Sequence, residues 1–218
     1  MMKIAVIGAT GLVGKGVVAE LVARGHQVVG ISRHADSLPK AENFTAVSLD
    51  VNTGNLATAL TGVDAVVCAF NGGWENPNLV TDYNRGMATI LHIAEQANVP
   101  YFLIVGGAGC LYVAPNLQLV DTPEFPKAIY LAADAVRQIL VQLKGNLRLN
   151  WAFLSPAAMF AVKPPRFTGT GRYRIGGNQV LLDENNQPAD ISVPDLAKAI
   201  ADDVEQKSHL HQHFTVAE

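Results

Sequence analysis

The chain has 218 residues, of which 49% are hydrophobic and 16% are charged, and its formal net charge is −3. This length allows one domain with a full core, and this balance argues against a long disordered region. The small negative charge gives no reason to expect nucleic acid or an anionic membrane as a partner. No apolar run approaches the ~20 residues of a membrane span, and no signal peptide is visible. Two cysteines make a poor disulfide framework, so we expect a cytoplasmic protein.

Aliphatic runs and amphipathic stretches alternate along the first 154 residues. The predicted strands are residues 3–8, 27–31, 44–49, 65–69, 101–105 and 147–154, and the predicted helices are residues 12–24, 56–60, 78–96 and 126–143. Strands separated by helices of this length pair in parallel with right-handed crossovers. The sequence therefore predicts an α/β fold with a doubly wound, Rossmann-like parallel sheet.

The alternation stops after Pro156, where the segment "VKPPRFTGTGRYRIGG" is rich in Pro, Gly and Arg. We predict a hairpin through 172–175 and 180–182, a helix over 194–204 and a last strand over 213–217. Ser192-x-x-Asp195 predicts a capping box for that helix. The expected organisation is one domain, residues 1–218, with a cofactor-binding core over 1–154 and a small C-terminal substrate lobe over 155–218.

A glycine-rich turn, "GATGLVG", joins the first strand to the first helix. The amides of a helix N-terminus lack intrahelical partners and carry the positive end of the helix dipole, so this turn favours a pyrophosphate. A plain strand–helix turn is the alternative, but the position at the first strand of an alternating sheet favours cofactor binding. The predicted pyrophosphate-binding residues are Gly8, Thr10, Gly11, Leu12, Val13 and Gly14.

The end of the second strand indicates which cofactor binds. NAD sites usually carry an Asp or Glu about 20 residues past the glycines, and no acid occurs here from Val28 to Ala35. Ser32 and Arg33 stand there instead, and a guanidinium beside a hydroxyl suits a 2′-phosphate. We therefore predict NADP(H), with NAD(H) as the alternative if Arg33 is only a solvated surface arginine.

Several segments in order resemble the atypical branch of the short-chain dehydrogenase/reductase superfamily: "AVIGATGLVG", "SLDV", "CAFNGG", "IVGGAGCL" and "NWAFLSPAAMF". The segments "TGRYRIGG" and "ISVPDLAKAI" resemble the C-terminal part of NADH-flavin reductase-like and biliverdin-IXβ-like reductases. The resemblance implies adenine contacts from Asp50 and Val51. It also implies that the nicotinamide side is lined by Ala69, Phe70, Gly107 and Pro156.

One departure from this superfamily concerns its Tyr-x-x-x-Lys pair and its serine. Tyr130 is present, but Asp134 stands where the lysine is expected, and Cys110 takes the serine position. An anion there opposes the lowering of the tyrosine pKa that a cation gives. Tyr130 and Cys110 remain the candidate catalytic residues, with pocket lining favoured over proton donation for Tyr130. Lys127, one turn before Tyr130, is a weaker candidate for the missing cation.

Two classes of function follow. The first is an oxidoreductase that passes hydride to a small planar acceptor such as a flavin or a quinone, which needs no tyrosinate acid. The second is a non-catalytic redox sensor that binds NADP(H) and reports to a protein partner. An epimerase is disfavoured, because it normally needs the Tyr-Lys pair.

Other residues have open alternatives. Trp74 either stacks on a planar substrate or covers the helix below it, and with Cys110, Tyr112 and Tyr130 it is expected to shape the substrate pocket. His209, His211 and His213 alternate, but solvated histidines are favoured and no metal site is predicted. Three arginines of the C-terminal segment either meet an anionic substrate or solvate a hairpin: Arg166, Arg172 and Arg174.

Overall fold

The computed structural model describes residues 1–38, 40–160 and 162–218. Its strands, in chain order, are β1 Lys3–Ile7, β2 Gln27–Ser32, β3 Phe44–Ser48, β4 Ala65–Cys68, β5 Phe102–Val105, β6 Tyr112–Ala114, β7 Leu117–Gln118, β8 Trp151–Pro156, β9 Arg174–Gly176 and β10 Gln212–Ala217. Its α-helices are α1 Leu12–Ala23, α2 Leu56–Ala59, α3 Leu79–Gln96, α4 Tyr130–Lys144 and α5 Val193–Gln206.

Eight of these strands form one sheet in the order β3-β2-β1-β4-β5-β8-β10-β9. All neighbours in it pair in parallel except β9, which runs antiparallel to β10. The central strands carry aliphatic side chains on both faces because helices cover both faces. This confirms the predicted doubly wound, Rossmann-like fold.

Two apolar cores lie on opposite faces of the sheet. On one face, α1 and α5 pack through buried side chains such as Leu21 and Ile200. On the other face, α2, α3 and α4 contribute buried side chains such as Leu56, Ile90 and Leu140. No helix within 1–38, 40–160 and 162–218 combines the length and the apolar character that crossing a membrane would take.

The crossing of α1 and α5 explains one further glycine of the N-terminal stretch. A Cβ built on Gly16 would lie 2.9 Å from Cγ1 of Val193 and 3.4 Å from Cβ of Ala197. Gly16 therefore lets the two helices approach closely, and its role is packing.

The predicted C-terminal hairpin is wrong. β9 pairs with the last strand, with Ile175 opposite Val216, and the amide of Val180 donates instead to the carbonyl of Tyr112 at 3.0 Å. The Gly-rich segment between 175 and 180 favoured a local turn. Pairing with β10 instead gives hydrogen-bond partners to an edge strand that would otherwise be exposed.

The start of β8 and the capping box also differ from prediction. The side-chain oxygen of Asn146 accepts from the amides of Arg148 and Leu149, which keeps residues 147–149 in a turn and delays the strand to Trp151. Ser192 does cap α5, accepting from the amide of Asp195 at 3.2 Å. The Asp195 carboxylate does not complete the box, because it accepts from the amides of residues 170 and 171.

Polar groups at the amino edge of the sheet are paired with one another. The hydroxyl of buried Tyr101 donates to Asp203 at 2.6 Å, and the other oxygen of that carboxylate meets Nδ1 of His209. Nearby, Arg24 donates to Asp202 and Glu205, both at 2.7 Å. These contacts fasten the C-terminal end of α5 to the strands beneath it.

Candidate functional site

The predicted glycine turn lies at the carboxyl edge of the sheet, between β1 and α1. Gly8 has a positive φ of +83°, and a Cβ built on it would lie 2.3 Å from the carbonyl oxygen of Ala69. A Cβ built on Gly14 would lie 2.1 Å from the carbonyl oxygen of Gly8. Both positions therefore exclude any side chain, because the turn is packed between the end of β4 and the first turn of α1.

The first backbone amides of α1, which follow this turn, have no hydrogen-bond acceptor among the described residues. The first helical hydrogen bond of α1 runs from the amide of Lys15 to the carbonyl of Gly11. In the described part of the chain, the amides of Leu12, Val13 and Gly14 have no backbone acceptor, and no side chain caps the helix. Three amides and the positive end of a 12-residue helix therefore face the edge where ligands bind in such sheets.

Ser32 and Arg33 lie at the end of β2, next to this turn. The Ser32 hydroxyl is one of two buried polar side-chain atoms without a partner in the described residues, the other being Nδ1 of His213. The Arg33 side chain is exposed and makes no hydrogen bond or ion pair with any described residue. A buried hydroxyl without a partner costs free energy unless a ligand satisfies it. The pair thus leaves a buried hydroxyl and a guanidinium free to bind a ligand at this strand end.

Asp50 and Val51 follow β3, as the prediction for the adenine side requires. Oδ1 of Asp50 accepts from the amide of Asn52 at 2.9 Å, and Val51 is buried. Phe70 lies with them, because a Cβ built on Gly86 of α3 would lie 2.6 Å from its ring and 3.2 Å from Cγ2 of Val51. Phe70 was predicted to line the nicotinamide side, and the structure instead brings it together with Val51. Its ring is fixed against α3 by stacking on Tyr83 at 6.0 Å.

Gly107 follows β5 and Pro156 ends the neighbouring strand β8, so both predicted nicotinamide-side residues lie at the carboxyl edge. Ser155, which the sequence analysis did not single out, joins them: its buried hydroxyl donates to the carbonyl of Gly107 at 2.8 Å. Since that proton is used, Nε2 of His213, 2.9 Å away, must donate to the Ser155 oxygen. Burial, with a smaller effect from Lys144, lowers the pKa of His213 to about 4, which keeps the ring neutral.

The predicted catalytic role of Cys110 is not supported by the structure. Cys110 lies in a short turn after β5 and has no exposed surface. Burial raises the pKa of its thiol to about 12, so the thiol stays protonated at neutral pH. Its carbonyl accepts from the Gln118 side chain, and it packs as a small apolar residue.

Tyr130 is the first residue of α4 and is 38% exposed. Asp134, one turn later, is paired with Arg137, which also donates to Asp121 at 2.7 Å. The negative charge at the lysine position is therefore neutralised within the protein. Lys127 was predicted to share a helical face with Tyr130, but it lies in a separate 3₁₀ turn before α4.

The remaining candidates are dispersed. Trp74 is 66% exposed, so it does not cover the helix below it, and Tyr112 lies half-buried in β6. The three histidines do not converge and are not simply solvated: His209 bonds Asp203, His211 meets the carbonyl of Leu149, and His213 bonds Ser155. Two of the arginines are occupied, because Arg166 pairs with Asp190 and Glu218, and Arg174 donates to the carbonyls of Glu218 and Leu182.

Comparison with known proteins identifies the family. A family model described as NAD(P)H-binding matches residues 8–207. The chain belongs to this NAD(P)H-binding family. This family lies within the atypical short-chain dehydrogenase/reductases. The chain is 35% identical to the uncharacterized protein YwnB of Bacillus subtilis, over 99% of this chain and 98% of that protein.

Two solved structures are similar along nearly the whole chain. A "putative epimerase" from Bacteroides thetaiotaomicron is 32% identical with a TM-score of 0.88, covering 99% of this chain and 96% of that one. A "putative NADH-flavin reductase" from Streptococcus pneumoniae is 31% identical with a TM-score of 0.85, covering 100% of both chains. These names describe those proteins.

The site of this NAD(P)H-binding protein therefore has two halves on either side of the glycine turn. Ser32, Arg33, Val51 and Phe70 form one half, which we call the adenosine half because Ser32, Arg33 and Val51 are the predicted adenosine contacts. Gly107, Ser155 and Pro156 form the other half. Sequence reasoning missed Ser155 and His213 as a connected pair. The position of Ser155 directly before Pro156, at the end of a predicted strand, was the one available signal.

Proposed function

We propose that this chain is an NADPH-preferring oxidoreductase that reduces a planar, electron-poor acceptor such as a flavin or a quinone. The preference for NADPH is carried by one observation, the buried, unpartnered hydroxyl of Ser32 beside the unpaired guanidinium of Arg33. An acid at this strand end, which would bind a ribose 2′-hydroxyl, is missing. A 2′-phosphate would accept from both side chains and would complete the hydrogen bonding of Ser32.

The choice of acceptor is supported by what surrounds Tyr130. The lysine of the usual pair is replaced by Asp134, whose charge is balanced by Arg137, and Cys110 is buried as a neutral thiol. A carbonyl substrate needs a positioned proton donor as it accepts hydride, whereas a flavin or quinone is already electron-poor. When bound, NADPH supplies the hydride, and the task of the protein is to hold donor and acceptor stacked.

The residues of this chain would divide that task. The free amides of the glycine turn would bind pyrophosphate, and Arg33 would bind the 2′-phosphate. Gly107 and Pro156 would border the nicotinamide, and the bond from Ser155 would fix the Gly107 carbonyl. The name of the similar Streptococcus pneumoniae protein supports a flavin acceptor and mentions NADH, so the preference for NADPH rests on Ser32 and Arg33 alone.

The activity is tested by mixing the purified protein with NADPH and a panel of flavins and quinones, and following the absorbance of reduced nicotinamide. We expect oxidation of NADPH well above the rate in free solution with at least one acceptor. Absence of turnover with every acceptor, together with binding that discriminates NADPH from NADP⁺, would favour the second candidate, a redox sensor. The redox-sensor function is supported by the absence of the Tyr-Lys pair, which also supports the choice of a flavin or quinone acceptor.

The cofactor preference is tested by Arg33→Ala. A charge-assisted hydrogen bond contributes about 1.5–3 kcal/mol, so the ratio of NADPH to NADH affinity should fall about 10- to 100-fold in a calorimetric titration. Arg172→Ala is the matched control, because Arg172 is also an exposed arginine but lies on the C-terminal segment. An unchanged ratio in Arg33→Ala would show that the assignment of the 2′-phosphate to Arg33 is wrong.

A further inference from the structure

The loop between β4 and α3, residues 69–78, lies next to the side chain of Arg33, which follows β2. A Cβ built on Gly73 would lie 3.8 Å from Nη2 of Arg33. In sheet order β2 and β4 are separated only by β1, so the loop and the Arg33 side chain together span the end of β1, where the glycine turn lies. Ala69 and Phe70 of this loop were expected to line the nicotinamide side, and Trp74 to shape the substrate pocket. The structure places Gly73 of the loop beside Arg33, the predicted 2′-phosphate contact.

Hydrogen bonds hold this loop in place. The Asn76 side chain donates to the carbonyl of Gly72 at 3.0 Å and to Asp82 of α3 at 2.8 Å. Asp82 in turn accepts from Arg85, and Arg85 donates to the side chain of Asn52 in the loop after β3. The loops that follow β3 and β4 are therefore joined through the start of α3.

Trp74 sits at the tip of this braced loop. The amide of Asn76 donates to the carbonyl of Gly73 at 3.0 Å, which closes a tight turn with Trp74 as its first central residue. Gly73 has a φ of +95°, and its amide donates to the Asn71 side chain at 2.7 Å. The turn thus presents an indole that is 66% exposed, next to a residue in contact range of Arg33.

An exposed indole on a braced turn is suited to stack on a flat ring. The adenosine half already has an apolar surface, because the side chains of Val51 and Phe70 lie close together beside Gly86. It has a phosphate-binding edge in Ser32 and Arg33. No other exposed Trp, Tyr or Phe side chain of the described residues lies next to Arg33 in the chain, and its neighbour His34 offers only the smaller imidazole ring.

We propose that Trp74 stacks on the adenine base of the bound dinucleotide and is an affinity-determining residue of the adenosine half. This inference rests on the proposed function, since it requires an adenine nucleotide at the carboxyl edge. Stacking of a base on an aromatic side chain contributes about 5- to 150-fold in affinity. Trp74 therefore binds cofactor and does not contact the acceptor.

The test uses adenosine 2′,5′-bisphosphate, which carries the adenosine half and no nicotinamide. The chain has two tryptophans, and Trp151 is only 3% exposed, so a ligand at the edge should alter the emission of Trp74 alone. We expect this ligand to quench wild-type fluorescence, and to leave the emission of Trp74→Phe unchanged. In calorimetry, Trp74→Ala should weaken binding about 5- to 150-fold, and Trp74→Phe should keep most of the affinity.

Leu147→Ala is the control, because Leu147 is 86% exposed and lies near the amino edge. If wild type and Trp74→Ala bind adenosine 2′,5′-bisphosphate equally and no quenching occurs, the stacking inference is wrong while the cofactor proposal stands. If the wild type binds only 5′-AMP and that binding quenches Trp74, stacking stands and the preference for NADPH fails. If no adenine nucleotide binds, both proposals are overturned.

Discussion

At the amino edge of the sheet, carboxylates of α5 are paired with neighbouring side chains, whereas at the carboxyl edge a buried hydroxyl and several backbone amides have no partner in the described residues. Asp203 accepts from Tyr101 and meets His209, and Arg24 is held by two carboxylates of α5. Ser32, by contrast, has a buried hydroxyl without a partner, and the first amides of α1 face outward. Both edges are made by the same strands, so the difference lies in the loops.

The paired groups of the amino edge serve the stability of the fold, whereas the unpaired groups of the carboxyl edge are available for binding. A paired buried carboxylate contributes to folding only while both partners remain, and it leaves no group for a ligand. An unpaired buried hydroxyl is a cost that a ligand can offset. We therefore expect substitutions at the amino edge to alter the free energy of unfolding, and substitutions at the carboxyl edge to alter affinity for the cofactor.

The largest effect on stability is expected from Asp203→Ala. The change leaves the Tyr101 hydroxyl and Nδ1 of His209 without their shared acceptor, and an unsatisfied buried polar group costs about 1–3 kcal/mol for each. Urea unfolding measures this loss. Asp36→Ala, at an exposed carboxylate, should change the free energy of unfolding by less than about 1 kcal/mol. A loss of NADPH affinity in folded Asp203→Ala, with stability unchanged, would contradict the contrast between the edges.

His213, the second residue of β10, predicts a dependence of stability on pH. Its pKa is about 4 in the folded protein, below its ordinary value near 6.5, so the unfolded chain binds more protons between these values. Stability should therefore fall as pH drops from about 6.5 toward 4, by up to about 3 kcal/mol. In His213→Gln this part of the slope should disappear, which urea unfolding at a series of pH values measures. An identical slope in both proteins would show that His213 titrates normally.

Gly14→Ala should act on both properties. Its Cβ would lie 2.1 Å from the Gly8 carbonyl oxygen, and such overpacking costs about 1–3 kcal/mol. The displaced turn should also bind NADPH about 10- to 100-fold more weakly, through lost charge-assisted hydrogen bonds. Gly177→Ala is the matched control, since a Cβ there meets nothing within 4 Å. Wild-type affinity in Gly14→Ala would show that the turn does not hold pyrophosphate.

The smallest effect is expected from Tyr130→Phe. If Tyr130 only borders the pocket, kcat/KM for the best flavin or quinone should change by less than about 10-fold, below the contribution of a general acid. A loss of about 100-fold or more, with the loss of one limb of the pH–rate profile, would instead identify Tyr130 as a proton donor. The measurement applies only to an acceptor for which the wild type shows turnover.

The sequence by itself determined the fold class and the position of the cofactor turn. Alternation of aliphatic strands and amphipathic helices is a local property, and the boundaries of β1, α1 and β2 were predicted within one residue. The glycine spacing and the Ser32–Arg33 pair are local as well, because each is contained in one short stretch of the chain. These features follow from short-range physics that neighbouring residues supply.

Only the tertiary structure decided which distant residues meet. The pairing of β9 with β10, the bond from Ser155 to Gly107 and the placement of Gly73 beside Arg33 all join segments far apart in the chain. Burial is also a property of the packed molecule, and it argues against the predicted catalytic role of Cys110, whose thiol is buried and protonated. The sequence alone predicted that Trp74 lies on a loop at the carboxyl edge of the sheet. Only the packed structure shows that this loop lies beside Arg33.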